Sequence, residues 1–217
     1  MFIGHYAVAL AAKKAAPKTS LGTLVMSAQF LDLLWPLFLL LGLEHVRVEA
    51  GNTAFTPLDF YDYQISHSLA TALGWSVGFA LVYMVIRRNL RSALVLAGCV
   101  FSHWVLDFIT HRPDLPIAPG MNTFAGLGLW NSVGGTIIIE SLLFLGGVFL
   151  YARTTRALDK TGTYAFWSLI VLLAAGYTAN ITAPPPTSAT ALGIGGLTQW
   201  LVVAWAYWID RHRTLRQ

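Results

Sequence analysis

The chain has 217 residues, of which 56% are hydrophobic and only 11% are charged, and its mean hydropathy is +0.60. A soluble domain carries about 25% charged residues, so this composition excludes an ordinary soluble globular domain and indicates an integral membrane protein. The formal net charge of +4 is explained by basic residues between apolar stretches, next to anionic lipid, and does not call for nucleic acid as a partner.

The N-terminal segment, residues 1–12, is apolar but too short to cross a bilayer, and Lys13 and Lys14 follow it directly. A helix of this length reaches about halfway across, ~18 Å. We therefore expect a short re-entrant half-helix that carries His5 towards the middle of the membrane. The alternative is a helix lying flat on the membrane surface with a solvated His5. The segment lacks the strongly polar face of a surface helix, which favours insertion.

Six further windows are long and apolar enough to be transmembrane helices, since a span needs about 20 residues to cross about 30 Å of hydrocarbon. Trp and Tyr residues lie near several of their ends, as is typical of the headgroup zone. The windows cover residues 21–43, 65–86, 92–110, 131–151, 164–182 and 189–209. The prediction is an all-α, polytopic transmembrane helical bundle, with six spanning helices and the half-helix in a single membrane domain over residues 1–217.

Basic residues are distributed unevenly between these windows. Twelve of the 14 lie before the first window, after the second, after the fourth or after the sixth. Only Arg47 and Arg112 fall in the other connections. By the positive-inside rule, this asymmetry places both termini in the cytoplasm. The extracytoplasmic side then carries the two longest connections, residues 44–64 and 111–130.

Ionisable side chains occur inside four of the windows, although each costs about 2.5–3.5 kcal/mol at the centre of a bilayer. They are Asp32, His67, His103, Asp107 and Glu140. We therefore expect the first four windows to share a polar interior. Residues 1–120 form the part that bears the metal site, and residues 131–217 mainly supply additional scaffold helices. At about 1.5 Å per residue, Asp32 and His103 lie near the midplane and His67 near the outer surface, so the pocket opens towards the extracytoplasmic side.

The segment His103-Trp-Val-Leu-Asp107 places an imidazole and a carboxylate four residues apart on one face of a helix. Such a pair can bind one cation, or it can be a hydrogen bond that only joins helices. His111 continues the same face by another turn. Five residues of the types that bind metals, in otherwise apolar segments, are more than helix association needs. The predicted ligand set is His5, Asp32, His67, His103 and Asp107.

Two other residues keep more than one interpretation. Glu140 lies in the middle of the fourth window and is a general base, a group that orients a ligand histidine, or a protonated structural carboxyl. Asp62 is a further oxygen ligand or a residue of a surface loop. His45 and His212 are expected to be solvated.

Four short motifs of this chain occur in a recognisable order. They are Gly4-His5, Asp32 before Pro36, Ser66-His67-Ser68 and Ser102-His103-Trp-Val-Leu-Asp107. In their order and spacing, about the first 120 residues resemble the YdjM-like family of bacterial inner-membrane, metal-dependent hydrolases. The resemblance implies a metal site built from the His and Asp positions of these motifs, namely His5, Asp32, His67, His103 and Asp107.

The chain also departs from the family pattern. The family often has a second Asp and a His before the proline, where this chain has Leu34 and Trp35. It often has another His before the Ser-His pair, where this chain has Asp62. Either the site here is reduced to one metal, or Asp62 substitutes as an oxygen ligand.

Three histidines and two aspartates suit Zn²⁺, with Mn²⁺ or Fe as alternatives. A bound divalent metal lowers the pKa of water towards ~7 and polarises a phosphoryl or carbonyl oxygen. Asp32, Asp107 or Glu140 would take the proton. The resulting hypothesis is a membrane-embedded hydrolase of the bacterial inner membrane that acts on a lipid or lipid-linked substrate such as a phosphoester.

Two other classes of function fit the same residues. A metal-ion or proton-coupled transporter or channel also carries ionisable residues at the midplane of the membrane. A structural assembly factor would use the polar groups only to join its helices.

Overall fold

The computed structural model describes residues 1–216, and 68% of the chain is helical, so the predicted all-α class is confirmed. Three two-stranded antiparallel sheets lie outside the helices, two of them hairpins within one connection, and in the described residues a 3₁₀ turn covers Leu129–Asn131. The helices are α1 (Ile3–Ala15), α2 (Leu21–Ala28), α3 (Phe30–Leu40), α4 (Gln64–His67), α5 (Leu69–Arg87), α6 (Leu90–Thr110), α7 (Val133–Thr154), α8 (Lys160–Thr182), α9 (Ala189–Leu197) and α10 (Gln199–Arg211). The strands are β1 (His45–Val48), β2 (Leu58–Asp62), β3 (Leu115–Pro116), β4 (Phe124–Ala125), β5 (Thr155–Ala157) and β6 (Arg213–Leu215).

Within residues 1–216, five helical segments are long and apolar enough to cross a membrane. They are α5, α6, α7, α8 and the combined segment α9–α10. The first predicted window is a bent pair, because α2 and α3 meet at Gln29 with an angle of 58°. Counted as one broken span, this pair brings the number to six. Beside the bend, the Ala28 carbonyl accepts a hydrogen bond from the ring of His103.

Helix α1 is buried inside the bundle, where it packs against α2, α6 and α7. Eight of its 13 residues are buried, including His5. The backbones of α1 and α7 lie close together at Gly147, where an added Cβ would lie 2.5 Å from the Ala7 carbonyl oxygen. A helix lying flat on a surface leaves one face exposed, so this burial argues against the interfacial alternative for residues 1–12.

The connections that carry most basic residues lie together at one end of the bundle, which we call the basic end (residues 13–18, 87–91, 153–160 and 211–216). Lys13 is buried there, and its Nζ donates to Asp210 Oδ1 at 2.9 Å and to the Thr19 carbonyl at 2.7 Å. Arg91 Nε donates to the Ala15 carbonyl at 3.0 Å. Strand β5 pairs with β6, which ties the α7–α8 connection to the end of α10.

The two longest connections, residues 44–64 and 111–130, lie together at the opposite end, which we call the hairpin end. Strands β1 and β2 form a hairpin in the first connection, and β3 and β4 form one in the second. Arg112 Nη2 donates to Asp59 Oδ1 at 2.6 Å, and the Phe55 amide donates to the Trp130 carbonyl at 3.0 Å. These contacts hold the two connections against each other.

Candidate metal centre

The five residues predicted as metal ligands come together although they belong to four segments of the chain. They are His5 of α1, Asp32 of α3, His67 of α4, and His103 and Asp107 of α6. All are buried except Asp32, which is partly exposed. They form two overlapping groups whose ligand atoms lie within 4.8 Å of one another, one with His5, His103 and Asp107 and one with Asp32, His67 and His103. This buried cluster could hold a metal ion.

Two imidazole nitrogens and two carboxylate oxygens face each other at the centre of the cluster. His103 Nε2 lies 3.3 Å from Asp107 Oδ2 and 3.6 Å from Asp32 Oδ1. His67 Nε2 lies 3.5 Å from Asp32 Oδ1 and 3.8 Å from Asp107 Oδ2. These separations exceed an ordinary N–H···O hydrogen bond. They approach the ~3.3 Å edge of a tetrahedron whose ligand atoms are about 2.0 Å from a central ion.

Hydrogen bonds on the far side of each ring define which nitrogen carries a proton. His103 Nδ1 lies 2.8 Å from the Ala28 carbonyl oxygen, which can only accept, so Nδ1–H is the donor. His67 Nδ1 lies 2.7 Å from Ser66 Oγ, whose hydroxyl donates to Glu44 Oε2 at 2.6 Å, so this ring also donates from Nδ1. In a neutral ring, Nε2 then presents a lone pair to the carboxylates, which is repulsive unless a cation lies between them.

The support of His67 by Glu44 was not anticipated from the sequence. Glu44 is completely buried, and its Oε1 also accepts the Ser66 amide at 2.7 Å. Through the Ser66 hydroxyl, this carboxylate fixes the tautomer and the orientation of the His67 ring, as outer carboxylates do for metal-binding histidines. No local sequence signal separates Glu44 from the exposed Glu49 five residues later.

His5 occupies a different position from the other two histidines. Its ring stacks on that of His103, with 3.6 Å between centroids and 4° between planes, and its Nε2 lies 3.1 Å from Asp107 Oδ1. The Met1 nitrogen contacts the same carboxylate oxygen. By contrast, the planes of His67 and His103 cross at 65°, so their Nε2 atoms can face one point.

Glu140 receives the first backbone N–H groups of α1. Its Oε2 accepts the Phe2 amide at 2.8 Å and the Gly4 amide at 3.3 Å. The residue before α1, Phe2, offers no capping side chain, so Glu140 of α7 caps α1 from a neighbouring helix. Its second oxygen, Oε1, is buried without a hydrogen-bond partner in the described chain.

The structure places Asp62 outside the cluster and His111 close to it. Asp62 lies on the hairpin, where its Oδ2 is 2.8 Å from Nδ1 of the half-exposed His45. His111 is buried, and its Nδ1 is 2.9 Å from Asp114 Oδ1. Tyr63 donates its hydroxyl to the same Asp114 oxygen at 3.2 Å. Burial, and then the charge of Asp114, raise the pKa of Tyr63 well above its ordinary value, so this hydroxyl stays protonated.

A cavity of about 180 Å³ leads to the cluster from the hairpin end. Asp32, His67 and Asp107 reach it, together with Glu140 and the two long connections. Aromatic side chains contribute to its wall, among them Trp35, Phe55, Phe60, Tyr63 and Trp130.

Helices near the C terminus also contribute polar groups to this cavity. Asn180 of α8 and Gln199 of α10 line it, and Gln199 Nε2 lies 3.4 Å from the Asp32 carbonyl oxygen. The expectation that residues 131–217 mainly supply scaffold helices is therefore incomplete.

Compared with protein-family models, curated proteins and solved structures, the chain shows no match in any of the three. The geometry of the cluster and cavity is therefore the basis for assigning a function.

Proposed function

We propose that this protein is a membrane-embedded, metal-dependent hydrolase that acts on a lipid or lipid-linked substrate, such as a phosphoester. One observation carries the proposal: two histidine Nε2 atoms, each with its Nδ1 anchored, converge on two aspartate oxygens at a narrow cavity. The order of motifs that resembles the YdjM-like family agrees with it.

The ligands we assign are Asp32, His67, His103 and Asp107. Two carboxylates and two neutral imidazoles balance the charge of one divalent cation. A four-ligand set of nitrogen and oxygen suits Zn²⁺, with Mn²⁺ or Fe as alternatives. His5 is left out of this ligand set, because its ring stacks parallel to that of His103 and its Nε2 approaches Asp107 Oδ1 at 3.1 Å, so it would orient the carboxylate.

Hydrolysis needs a proton acceptor and room for a substrate next to the ligands. The metal would supply Lewis acidity towards water and a phosphoryl or carbonyl oxygen. Both oxygens of Asp107 already face partners, Oδ1 towards His5 and Oδ2 towards His103. Within residues 1–216, Glu140 Oε1 has no hydrogen-bond partner, and Glu140 lines the cavity, which makes it our preferred acceptor, with Asp32 as the alternative.

The distribution of charge supports an orientation in the membrane. We propose six spans in the bacterial inner membrane, with the bent pair α2–α3 as one of them and α1 as a half-helix enclosed by the others. The basic end faces the cytoplasm, in agreement with the positive-inside rule. The cavity is lined from the hairpin end and therefore opens to the extracytoplasmic side, where lipid headgroups and lipid-linked esters are within reach.

Transport of a cation along the bundle has less support. A conducting path would need polar groups between the cluster and the basic end. Leu10, Leu24 and Leu96 lie between these levels on α1, α2 and α6, and all three belong to one buried apolar cluster. Protein in liposomes that moves metal ions without forming product would favour transport over hydrolysis.

The experiment combines elemental analysis with an assay in vesicles. Purified protein is expected to carry about one divalent metal per chain, and His103→Ala to lose it. The control His45→Ala removes a half-exposed histidine of the hairpin and should keep the metal. Phosphatidylcholine vesicles containing phosphatidic acid should release inorganic phosphate or fatty acid with the unaltered protein only. If the purified protein carries no divalent metal, and the metal content of His103→Ala is the same, the proposal is ruled out. A structural role for the polar groups would then remain.

A further inference from the structure

A second histidine–carboxylate pair lies in the same cavity as the metal cluster. His111 follows the last residue of α6, and its Nδ1 is 2.9 Å from Asp114 Oδ1. Because a carboxylate can only accept, Nδ1–H is the donor and Nε2 is left for another partner. His111 lines the cavity, and no described residue makes a hydrogen bond with its Nε2.

Neighbouring groups hold this pair in a defined position. Arg112 Nε donates to Asp114 Oδ2 at 3.1 Å, while Arg112 Nη2 donates to Asp59 of the hairpin at 2.6 Å. Tyr63 donates to the same Asp114 oxygen as His111. The ring of His111 packs against Trp130, with 4.2 Å between centroids. The pair is thus fixed on both the carboxylate and the imidazole side.

Tyr63 separates His111 from the metal cluster by a single ring. The Tyr63 ring centroid lies 5.4 Å from that of His67 and 5.9 Å from that of His111. His67, Asp107 and His111 all line the cavity, so a substrate held there can contact the cluster and His111 together. In this position, His111 can donate a proton to the leaving oxygen while the cluster acts on the phosphorus that water attacks.

Two other His–Asp pairs show that proximity to Asp is not what distinguishes His111. The His45–Asp62 pair on the hairpin has side chains that are 48% and 38% exposed. The His212–Asp159 pair at the basic end has side chains that are 32% and 47% exposed. In the His111–Asp114 pair, the corresponding values are 4% and 12%. Of the three histidines in these pairs, His111 lines the cavity, and His45 and His212 do not.

We propose that His111 is the proton donor to the leaving oxygen of the substrate, with Asp114 as its positioning residue. This inference rests on the proposed hydrolase function. The oxygen of water bonds to phosphorus as the bond to the ester oxygen breaks, and the acceptor carboxylate takes the proton of the water. His111, as imidazolium, gives its Nε2 proton to the departing alkoxide, which becomes an alcohol, and the His111 ring becomes neutral. Exchange with water then returns both groups to their starting states.

The leaving group provides the test, because a poor leaving group needs a proton donor and a good one does not. Removing a general acid costs about 10²–10⁴-fold in rate. In His111→Ala, phosphate release from phosphatidic acid vesicles should fall by about this factor, whereas 4-nitrophenyl phosphate hydrolysis should fall by less than about tenfold. Added imidazole should restore part of the lost activity. Asp114→Asn should show the same bias towards the poor leaving group, with a smaller loss.

Two controls separate this inference from the function on which it rests. His45→Ala removes the exposed counterpart of His111 and should leave both rates unchanged. The metal content of His111→Ala should equal that of the unaltered protein. Equal losses on both phosphate esters, with no rescue by imidazole, would overturn the role of His111 while the hydrolase stands. If the metal-loaded protein hydrolyses neither ester, the phosphoester hydrolase itself fails, and the proton donor fails with it.

Discussion

The imidazole rings of His5 and His103 lie parallel, with 3.6 Å between their centroids and 4° between their planes. The Nε2 atoms of two parallel, stacked rings do not point at one position, so His5 and His103 would not hold the same ion. His5 instead approaches Asp107 Oδ1 at 3.1 Å, which leaves Oδ2 directed towards His67 and His103. The stacked pair thereby joins α1 to α6 and orients a carboxylate of the cluster.

Replacing His5 by Phe should preserve the stacked ring and remove the contact with Asp107. We expect His5→Phe to bind a divalent metal at the same stoichiometry, with an affinity about 10–100-fold lower, because loss of a group that orients a ligand has effects of this size. His103→Phe should abolish binding. Elemental analysis and competition with a chelator measure both quantities. A complete loss of metal in His5→Phe would instead make His5 a direct ligand.

Glu44 should influence metal binding although its carboxylate does not face the cluster. In Glu44→Gln and Ser66→Ala, the chain of hydrogen bonds that fixes the His67 ring is weakened. We expect metal affinity to fall by about 10–100-fold in either variant. Glu49→Gln is the matched control, since Glu49 is an exposed acid of the same connection. Equal affinities for Glu44→Gln and Glu49→Gln would contradict this role.

Glu140 should affect stability and chemistry separately. Glu140→Ala removes the acceptor for the Phe2 and Gly4 amides, and loss of a helix cap costs about 0.5–2 kcal/mol. Glu140→Gln keeps an amide oxygen at the cap and should recover most of that free energy of unfolding. If Glu140 also accepts a proton, Glu140→Gln should remain inactive. Thermal unfolding in detergent and the vesicle assay separate the two effects, and a fully active Glu140→Gln would remove Glu140 from the mechanism.

Two adjacent glycines of α7 provide a test of the packing of α1. A Cβ on Gly147 would lie 2.5 Å from the Ala7 carbonyl oxygen, whereas a Cβ on Gly146 would meet no atom within 4 Å. We expect Gly147→Ala to lower the free energy of unfolding by about 1–3 kcal/mol, as overpacking does. Gly146→Ala should be neutral or slightly stabilising, because Ala favours a helix by up to about 1 kcal/mol over Gly. Similar unfolding temperatures for the two variants would argue against a tightly enclosed α1.

The exposed pair at the basic end predicts a dependence of stability on pH. The hydrogen bond between His212 Nδ1 and Asp159 Oδ2, at 2.7 Å, lowers the pKa of Asp159 from its ordinary value of 3.8. Because the pKa is lower in the folded chain, the carboxylate contributes stability above this ordinary value and loses it as pH falls through the lowered one. The difference in unfolding temperature between the unaltered protein and Asp159→Asn should therefore shrink below about pH 4. A difference that stays constant to pH 2 would exclude this contribution.

Composition and hydropathy were sufficient to predict the helical class, the apolar helices and the residues of the cluster. These properties depend on side chains counted within one window, because the transfer free energy of a helix is a sum over its own residues. An ionisable residue in such a window is costly wherever the chain folds, so Asp32, His103 and Asp107 were identifiable without coordinates.

The arrangement within the cluster depends on contacts between segments that are far apart in the chain. The sequence predicted a continuous first window, whereas the chain bends at Gln29 and the adjacent Ala28 carbonyl anchors His103. It contains no signal that separates Glu44 from the exposed Glu49, whereas burial directs Glu44 to Ser66 and so to His67. Hydropathy carries no information on hydrogen-bond direction or ring orientation, which are set by packing. The long apolar helices of this protein therefore follow from its sequence, while the arrangement of its histidines follows from how α1, α4 and α6 meet.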